Sequence, residues 1–284
     1  MECKDTFFFA KSITFATNMA KEKRFCLIGR GIQGSLSPAL MRAAYGGRYG
    51  YDLVDEDSFE AAWQRAMDYD GFNVTAPYKF KAFSMCLAHD SNSLTAEAAN
   101  LIVPIPGGGF RSFNTDIDGV AEALVQGGVA RLAPEPRPAL VVGTGGAASA
   151  AISALTSHLH CLPIVAGRDV EKARRMCLPD SDGSEEPVPG RHFTGLSPLV
   201  LDKTGGDIGI IVYTLPGSAP VPDGLPLENA VVLEAEYKNP RLADAGCRRY
   251  VSGKLWLMYQ AVAGFRILTG EEPCIAAMRE VLGL

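Results

Sequence analysis

Three short stretches place polar, chemically able side chains where a purely structural sequence has little need of them. Ser35-Leu36-Ser37-Pro38 sets two hydroxyls at the start of a helix. Pro38 is tolerated in the first turn, because the N–H it lacks has no intrahelical partner there. The free N–H groups and the partial positive charge of a helix start make this a place for a carboxylate or a phosphate. An ordinary capping serine accounts for Ser37, and less well for Ser35. Asn73-Val74-Thr75-Ala76-Pro77-Tyr78-Lys79 compresses a strand end, a helix opened by Pro77 and a lysine into seven residues. Strand alternation sends Asn73 and Thr75 to one face. Lys79 falls in the first helical turn, where the helix dipole opposes a cation, so a merely structural lysine is a poor explanation. Asn114-Thr115-Asp116 precedes another helix, and Asp116 is either its N-cap or a carboxylate with a task elsewhere.

A second kind of chemistry is written in Gly143-Thr144-Gly145-Gly146-Ala147-Ala148, which fits G-x-G-x-x-A. The first glycine permits a sharp turn, the second lets backbone approach a pyrophosphate, and the small last residue allows a helix to pack closely on a strand. The context is right: ALVVG (139–143) reads as a buried strand, a small-residue helix follows, and LPIVAG (162–167) is the next strand. A tight turn without a ligand is the plain alternative. After the second strand an acidic residue would bind the ribose 2′-hydroxyl of NAD, and an arginine would accommodate the 2′-phosphate of NADP. Arg168 and Asp169 stand there side by side; Arg168 comes first, which favours NADP.

These side chains need a scaffold. Arg24 to Gly29, Tyr49 to Val54 and Gly71 to Thr75 read as strands. Ser58 to Met67 reads as a helix with Phe59, Ala62, Trp63 and Ala66 on one face. Ala98 to Val103 and Phe110 to Phe113 flank three glycines as a hairpin. Asp207 to Thr214 and Ala230 to Glu234 continue the strands, and Lys254 to Arg266 and Pro273 to Leu282 form two closing helices. The proline-rich residues 131–138 read as a connector and the acidic 178–190 as an exposed loop. The chain is thus α/β.

With 284 residues it holds one large domain or two modest ones. Apolar residues make up 47%, enough to exclude global disorder. A net charge of −5 with no dense basic block speaks against nucleic-acid or anionic-membrane binding. The seven cysteines are scattered with no CxxC pair, so no disulfide framework or zinc site is expected, and a reducing cytoplasm fits. His158 and His160 read as packing or surface residues, and no metal is expected. The first stretch is broken by Lys11 and several polar residues and does not read as a signal peptide. Residues 1–18 read as a disordered leader or a misplaced start. Pro138 to Gly167 is free of charge but too interrupted to span a membrane.

Taken together, SLSP at 35–38, NVTAPYK at 73–79, Asn100, NTD at 114–116 with Gly119, GTGGAA at 143–148, Tyr237 and GKLWLMYQA at 253–261 resemble the shikimate dehydrogenase family, in order from about Arg24 to the C-terminus. The resemblance implies an N-terminal α/β substrate domain (21–115 plus 254–284), a Rossmann NADP-binding domain (116–253), closing helices that return to the first domain, and a leader over 1–20. It implies reversible NADPH-dependent reduction of 3-dehydroshikimate to shikimate. Lys79 and Asp116 would be the catalytic pair, and Ser35 and Ser37 would bind the substrate carboxylate. Thr75, Asn100 and Gln260 would bind its hydroxyls, with Tyr237 nearby. Gly143, Gly145, Gly146, Ala147, Arg168, Thr214 and Gly253 would line the cofactor, Gly253 against the nicotinamide. The chemistry agrees with the residue types: a cationic Lys79 can stabilise and protonate a developing alkoxide, and Asp116 can orient it. The expected partner is a small molecule, with no nucleic acid or membrane, in a monomer or homodimer.

The chain departs from the family pattern at Gly34, where many members have His, and at Leu101, usually Thr. Glu234 stands for the usual Asp, and Trp256 is often Met. A paralogue acting on quinate or an aminated analogue, and a non-catalytic metabolite sensor, are the competing readings.

Overall fold

The computed structural model describes residues 22–131, 133–176, 192–195 and 208–284. The expected leader and the acidic loop at 178–190 lie outside them. The chain begins with β1 (Arg24–Gly29), α1 (Ser37–Tyr45), β2 (Gly50–Asp55), α2 (Phe59–Ala66), β3 (Gly71–Val74), α3 (Lys79–Ser84), β4 (Ala88–His89), α4 (Ser91–Ala96), β5 (Leu101–Pro104) and β6 (Phe110–Phe113). Local chemistry accounts for much of this. Every residue of β1 after Arg24 is buried. The helix α2 buries Phe59, Ala62, Trp63 and Ala66, and the Ser58 side chain accepts the Ala61 N–H at its start. The β5–β6 hairpin turns through Gly107, Gly108 and Gly109, all at positive φ.

These strands form one sheet in the order β2-β1-β3-β5-β6-β4. It is mixed: β1 pairs parallel with β2 and β3, β5 runs antiparallel to β3 and β6, and β4 is parallel to β6. Apolar residues cover both faces, with Phe25, Leu40, Met41 and Phe265 in one cluster and Ile28, Trp63, Phe72 and Ile102 in the other.

The second half comprises α5 (Asp116–Gln126), β7 (Arg137–Val142), α6 (Gly146–Leu159), β8 (Cys161–Gly167), α7 (Val170–Arg175), β9 (His192–Gly195), β10 (Ile210–Tyr213), β11 (Val231–Glu234), β12 (Arg249–Ser252), α8 (Gly253–Thr269) and α9 (Ile275–Leu282). Its sheet runs β12-β11-β10-β7-β8-β9 and is wholly parallel. Counted from β7, that is the 3-2-1-4-5-6 order of a doubly wound nucleotide-binding fold, with its switch point between β7 and β10. Helix α6 lies close on this sheet because Ala148, Ala150, Ala151 and Ala154 are all fully buried. Among the described residues no helix is long and apolar enough to cross a membrane.

The two halves are stitched by α5 and α8. Trp256 of α8 belongs to the core of the parallel sheet, whereas Met258, Val262, Phe265 and Leu268 belong to the core of the mixed sheet. The two helices approach closely at Gly119, where a Cβ would stand 2.7 Å from Trp256 Cδ1, 2.8 Å from the Trp256 carbonyl oxygen and 2.9 Å from Gln260 Cβ.

Two local expectations are corrected, and an alternative left open at Asp116 is decided. Pro77 does not open a helix. Thr75 to Tyr78 is a turn containing a cis Ala76–Pro77 peptide, closed by the Tyr78 N–H donating to the Thr75 carbonyl (3.0 Å), and α3 begins at Lys79. Ser37 is not an N-cap but the first residue of α1; its N–H is taken by Ser35 Oγ at 3.2 Å. Asp116 is likewise the first residue of α5, and its N–H is taken by Asn114 Oδ1 at 3.2 Å.

Replacing Gly119 with alanine would normally favour a helix interior by about 1 kcal/mol. Here a carbonyl oxygen that cannot move aside decides the sign. We expect Gly119→Ala to destabilise the fold by about 2 kcal/mol, measured as a lower midpoint of urea unfolding.

Candidate active site

A cleft of about 320 Å³ opens between the two halves and is lined by residues of the mixed sheet, of α5, α6 and α8, and of the segment after β11. Its centre is the pair Lys79–Asp116. The ammonium lies 2.5 Å from Asp116 Oδ2, with the side chains only 19% and 9% exposed. Both charges sit on the first turn of a helix, which favours the carboxylate and disfavours the ammonium. The carboxylate therefore supplies what the end of α3 withholds. It is free to do so because Asn114 caps α5 in its place, while Asn114 Nδ2 is fixed on the Ala98 carbonyl at 2.9 Å.

Asn100, just before β5, ties three elements together. Its Oδ1 accepts the Thr115 N–H (2.8 Å), and its Nδ2 donates to Gln260 Oε1 on α8 (2.9 Å) and to Thr115 Oγ1 (3.1 Å). Asn73 is held by its Nδ2 on the Asn100 carbonyl (3.1 Å) and by the Tyr51 hydroxyl donating to its Oδ1 (2.9 Å). Burial holds the Tyr51 phenol well above its ordinary pKa, so it stays a neutral donor. Asn73, Thr75, Asn100 and Gln260 all line the cleft, as does Tyr51, which the sequence reading passed over. The signal was the parallel register of β2, β1 and β3, which no single stretch contains.

At the opposite wall Ser35 and Ser37 face the cavity, their hydroxyls bonded to each other at 3.2 Å. Facing them is the segment after β11. Glu234 is fully buried, yet its carboxylate accepts the Arg241 N–H (2.7 Å), the Leu242 N–H (3.1 Å) and the Tyr250 hydroxyl (3.1 Å). This closes residues 235–242 into a fixed loop that carries Tyr237 into the cleft. Burial and the neighbouring Glu236 raise the Tyr237 phenol, which remains a neutral donor.

The glycine loop lies at the switch point. Gly143 follows β7 at φ +123°, and a Cβ there would stand 2.3 Å from Thr214 Oγ1, whose hydroxyl donates to the Val142 carbonyl at 2.9 Å. Thr214 is thus a wedge beneath the turn and lines neither this cleft nor the second one beside it. Gly145 is the N-cap of α6 and Gly146 its first residue, and a Cβ on either would meet open space, leaving the helix start accessible to an anion. Ala147 and Gly253 line the main cleft. Gly253 has no room for a side chain, its Cβ position lying 2.5 Å from the Ala235 carbonyl oxygen. Around the end of β8 a second cavity is bounded by Gly143, Thr144, Gly167, Arg168, Asp169 and Lys172. Asp169 caps α7 by accepting the Lys172 N–H at 2.9 Å, so its carboxylate is committed to the helix. Two cations, Arg168 and the unforeseen Lys172, remain beside that cavity. Among the described residues no group of three His, Cys, Asp or Glu is arranged to hold a metal.

Glu234 can be tested as the anchor of the Tyr237 loop. Glu234→Ala orphans two backbone N–H groups and a phenol, and we expect a loss of about 3 kcal/mol, read from thermal unfolding by circular dichroism, with Glu234→Gln intermediate.

Comparison with known proteins places this geometry. The model of the shikimate dehydrogenase substrate-binding domain matches residues 27–102. The shikimate dehydrogenase (NADP(+)) of Rubrobacter xylanophilus is 32% identical over 277 residues, covering 90% of this chain and 94% of that protein. That of Methanosarcina barkeri is 30% identical over 281 residues, covering 91% and 96%. Among solved structures, shikimate 5-dehydrogenase from Thermus thermophilus, in complex with NADP(H) and shikimate, superposes with a TM-score of 0.75 at 25% identity, covering 92% of this chain and 98% of that one. With a like sequence along nine-tenths of its length and a like fold, the chain belongs to the shikimate dehydrogenase family.

Proposed function

We propose that this protein is a shikimate dehydrogenase, reversibly reducing 3-dehydroshikimate to shikimate with NADPH in the synthesis of aromatic amino acids. The observation that carries this reading is the Lys79–Asp116 pair, 2.5 Å apart in the cleft between the two halves. Residues 21–115 with 254–284 would hold the substrate and residues 116–253 the nucleotide. The five described cysteines are free, in keeping with a reducing cytoplasm.

The residues fit the nucleotide. Gly145 and Gly146 leave the α6 start open to a pyrophosphate, Gly253 presents bare backbone to the cleft, and Arg168 and Lys172 flank the second cavity while Asp169 is occupied as a cap. A free acidic side chain at that place would favour an unphosphorylated ribose; two cations and a committed carboxylate favour a 2′-phosphate. Bound NADPH supplies the hydride that reduces the ketone carbon.

The chain's own groups handle the oxygen and the proton. Lys79 Nζ donates a hydrogen bond to the ketone oxygen, stabilises the negative charge that develops on it and delivers the proton that makes the new hydroxyl. Asp116 orients the ammonium and accepts from the substrate hydroxyl; in the reverse direction Lys79 takes that proton back. Ser35 and Ser37 bind the carboxylate, Thr75, Asn100 and Gln260 the ring hydroxyls, and Tyr237 donates from the facing loop. Closure of the halves would exclude water from the reacting oxygen.

Two measurements test this reading. Shikimate-dependent reduction of NADP⁺ should fall by about a thousandfold in Lys79→Ala with the circular dichroism spectrum unchanged; an undiminished rate would remove Lys79 from the chemistry, and faster turnover of quinate than of shikimate would redirect the substrate. Arg168→Ala and Lys172→Ala should each raise KM for NADP⁺ about tenfold and leave KM for NAD⁺ unmoved, in the same assay with either nucleotide.

A further inference from the structure

The loop fixed by Glu234 brings a second side chain to the cleft besides Tyr237. Lys238 lines the same cavity as Ser35, Ser37 and Lys79, but it comes from the nucleotide-binding half. Its ammonium reaches across to the opposite wall, where Nζ stands 3.3 Å from the position a Cβ on Gly34 would take. Gly34 immediately precedes Ser35, so the ammonium hangs over the mouth of the two-serine site. A side chain at position 34 would grow into that space, and glycine leaves it to the lysine.

The charge of Lys238 is not consumed locally. Its nearest carboxylate in sequence, Glu236, is turned to the backbone, where Oε1 accepts the N–H groups of Lys238 (2.8 Å) and Asn239 (3.3 Å). None of the ion pairs among the described residues includes Lys238. The two serines, by contrast, are neutral: they give hydrogen bonds and geometry to an anion, but no countercharge. The remaining cation of the cleft, Lys79, is already paired with Asp116.

We propose that Lys238 is the countercharge of the substrate carboxylate, closing over it from the nucleotide-binding half while Ser35 and Ser37 hold it from the other. The idea rests on the functional reading above and deepens it. A carboxylate held on one wall by hydroxyls and on the facing wall by an ammonium draws the two walls together. Charge recognition at this point selects acids over neutral analogues and acts on binding, since the carboxylate does not change during the reaction.

The test compares shikimate with its uncharged methyl ester in the unaltered protein, Lys238→Ala, Lys238→Met and Lys238→Arg, with NADP⁺ as oxidant. Lys238→Ala and Lys238→Met should raise KM for shikimate about tenfold while kcat and KM for NADP⁺ stay within about twofold. Lys238→Arg should recover most of the loss, and KM for the ester should be alike in all four proteins. An unchanged KM for shikimate, an equal loss on the ester, or a fall in kcat alone would overturn the assignment of Lys238. No turnover of shikimate by the unaltered protein would instead overturn the functional reading on which it stands.

Discussion

Two opposite charges meet in a cleft where little water reaches either, and the rest of the molecule is arranged around keeping them there. Withdrawing an ammonium and a carboxylate from water costs several kcal/mol per ion. The cost is offset only while each is held on the other. Lys79 also begins a helix, so the local dipole works against it, and Asp116 must answer both penalties. That demand reaches outward. Asn114 relieves Asp116 of capping duty, Asn100 ties the start of α5 to α8, and Gly119 lets those helices cross without a side chain between them.

The two sheets contribute differently. The mixed sheet supplies hydroxyls and amides that are fixed by hydrogen bonds to one another, as in the chain from Tyr51 through Asn73 to Asn100. The parallel sheet supplies backbone: bare glycine at the α6 start and at Gly253, where anything larger would strike a carbonyl oxygen. Among the described residues its fully buried carboxylate, Glu234, has no basic side-chain partner; three hydrogen-bond donors satisfy it, and it fixes the shape of a loop.

Much of the scaffold was legible in the sequence because its signals are local. The apolar run of β1, the one-sided apolar face of α2 and the strand-glycine-helix order around Gly143 each lie within a dozen residues, and each element stands where it was read. Capping was misjudged at Ser37 and left open at Asp116 because the choice between neighbouring polar residues depends on where the preceding chain comes from. The short elements β4 and α4 carry too few residues to show a period. Tyr51, Lys172 and Lys238 went unnoticed for a different reason: each acts across a gap between elements, and an isolated tyrosine or lysine on a strand, helix or loop has nothing in its own neighbourhood to mark it.

The double allegiance of α8 has a consequence for the chain as an object that can be cut. The mixed sheet draws part of its interior from residues 258–268, some 150 positions beyond its last strand, so that half remains unfinished until α8 has been made. The mixed-sheet half therefore corresponds to no continuous piece of gene that could be expressed alone, and a nascent chain leaving the ribosome must shelter the exposed face of its first sheet until α8 has been made.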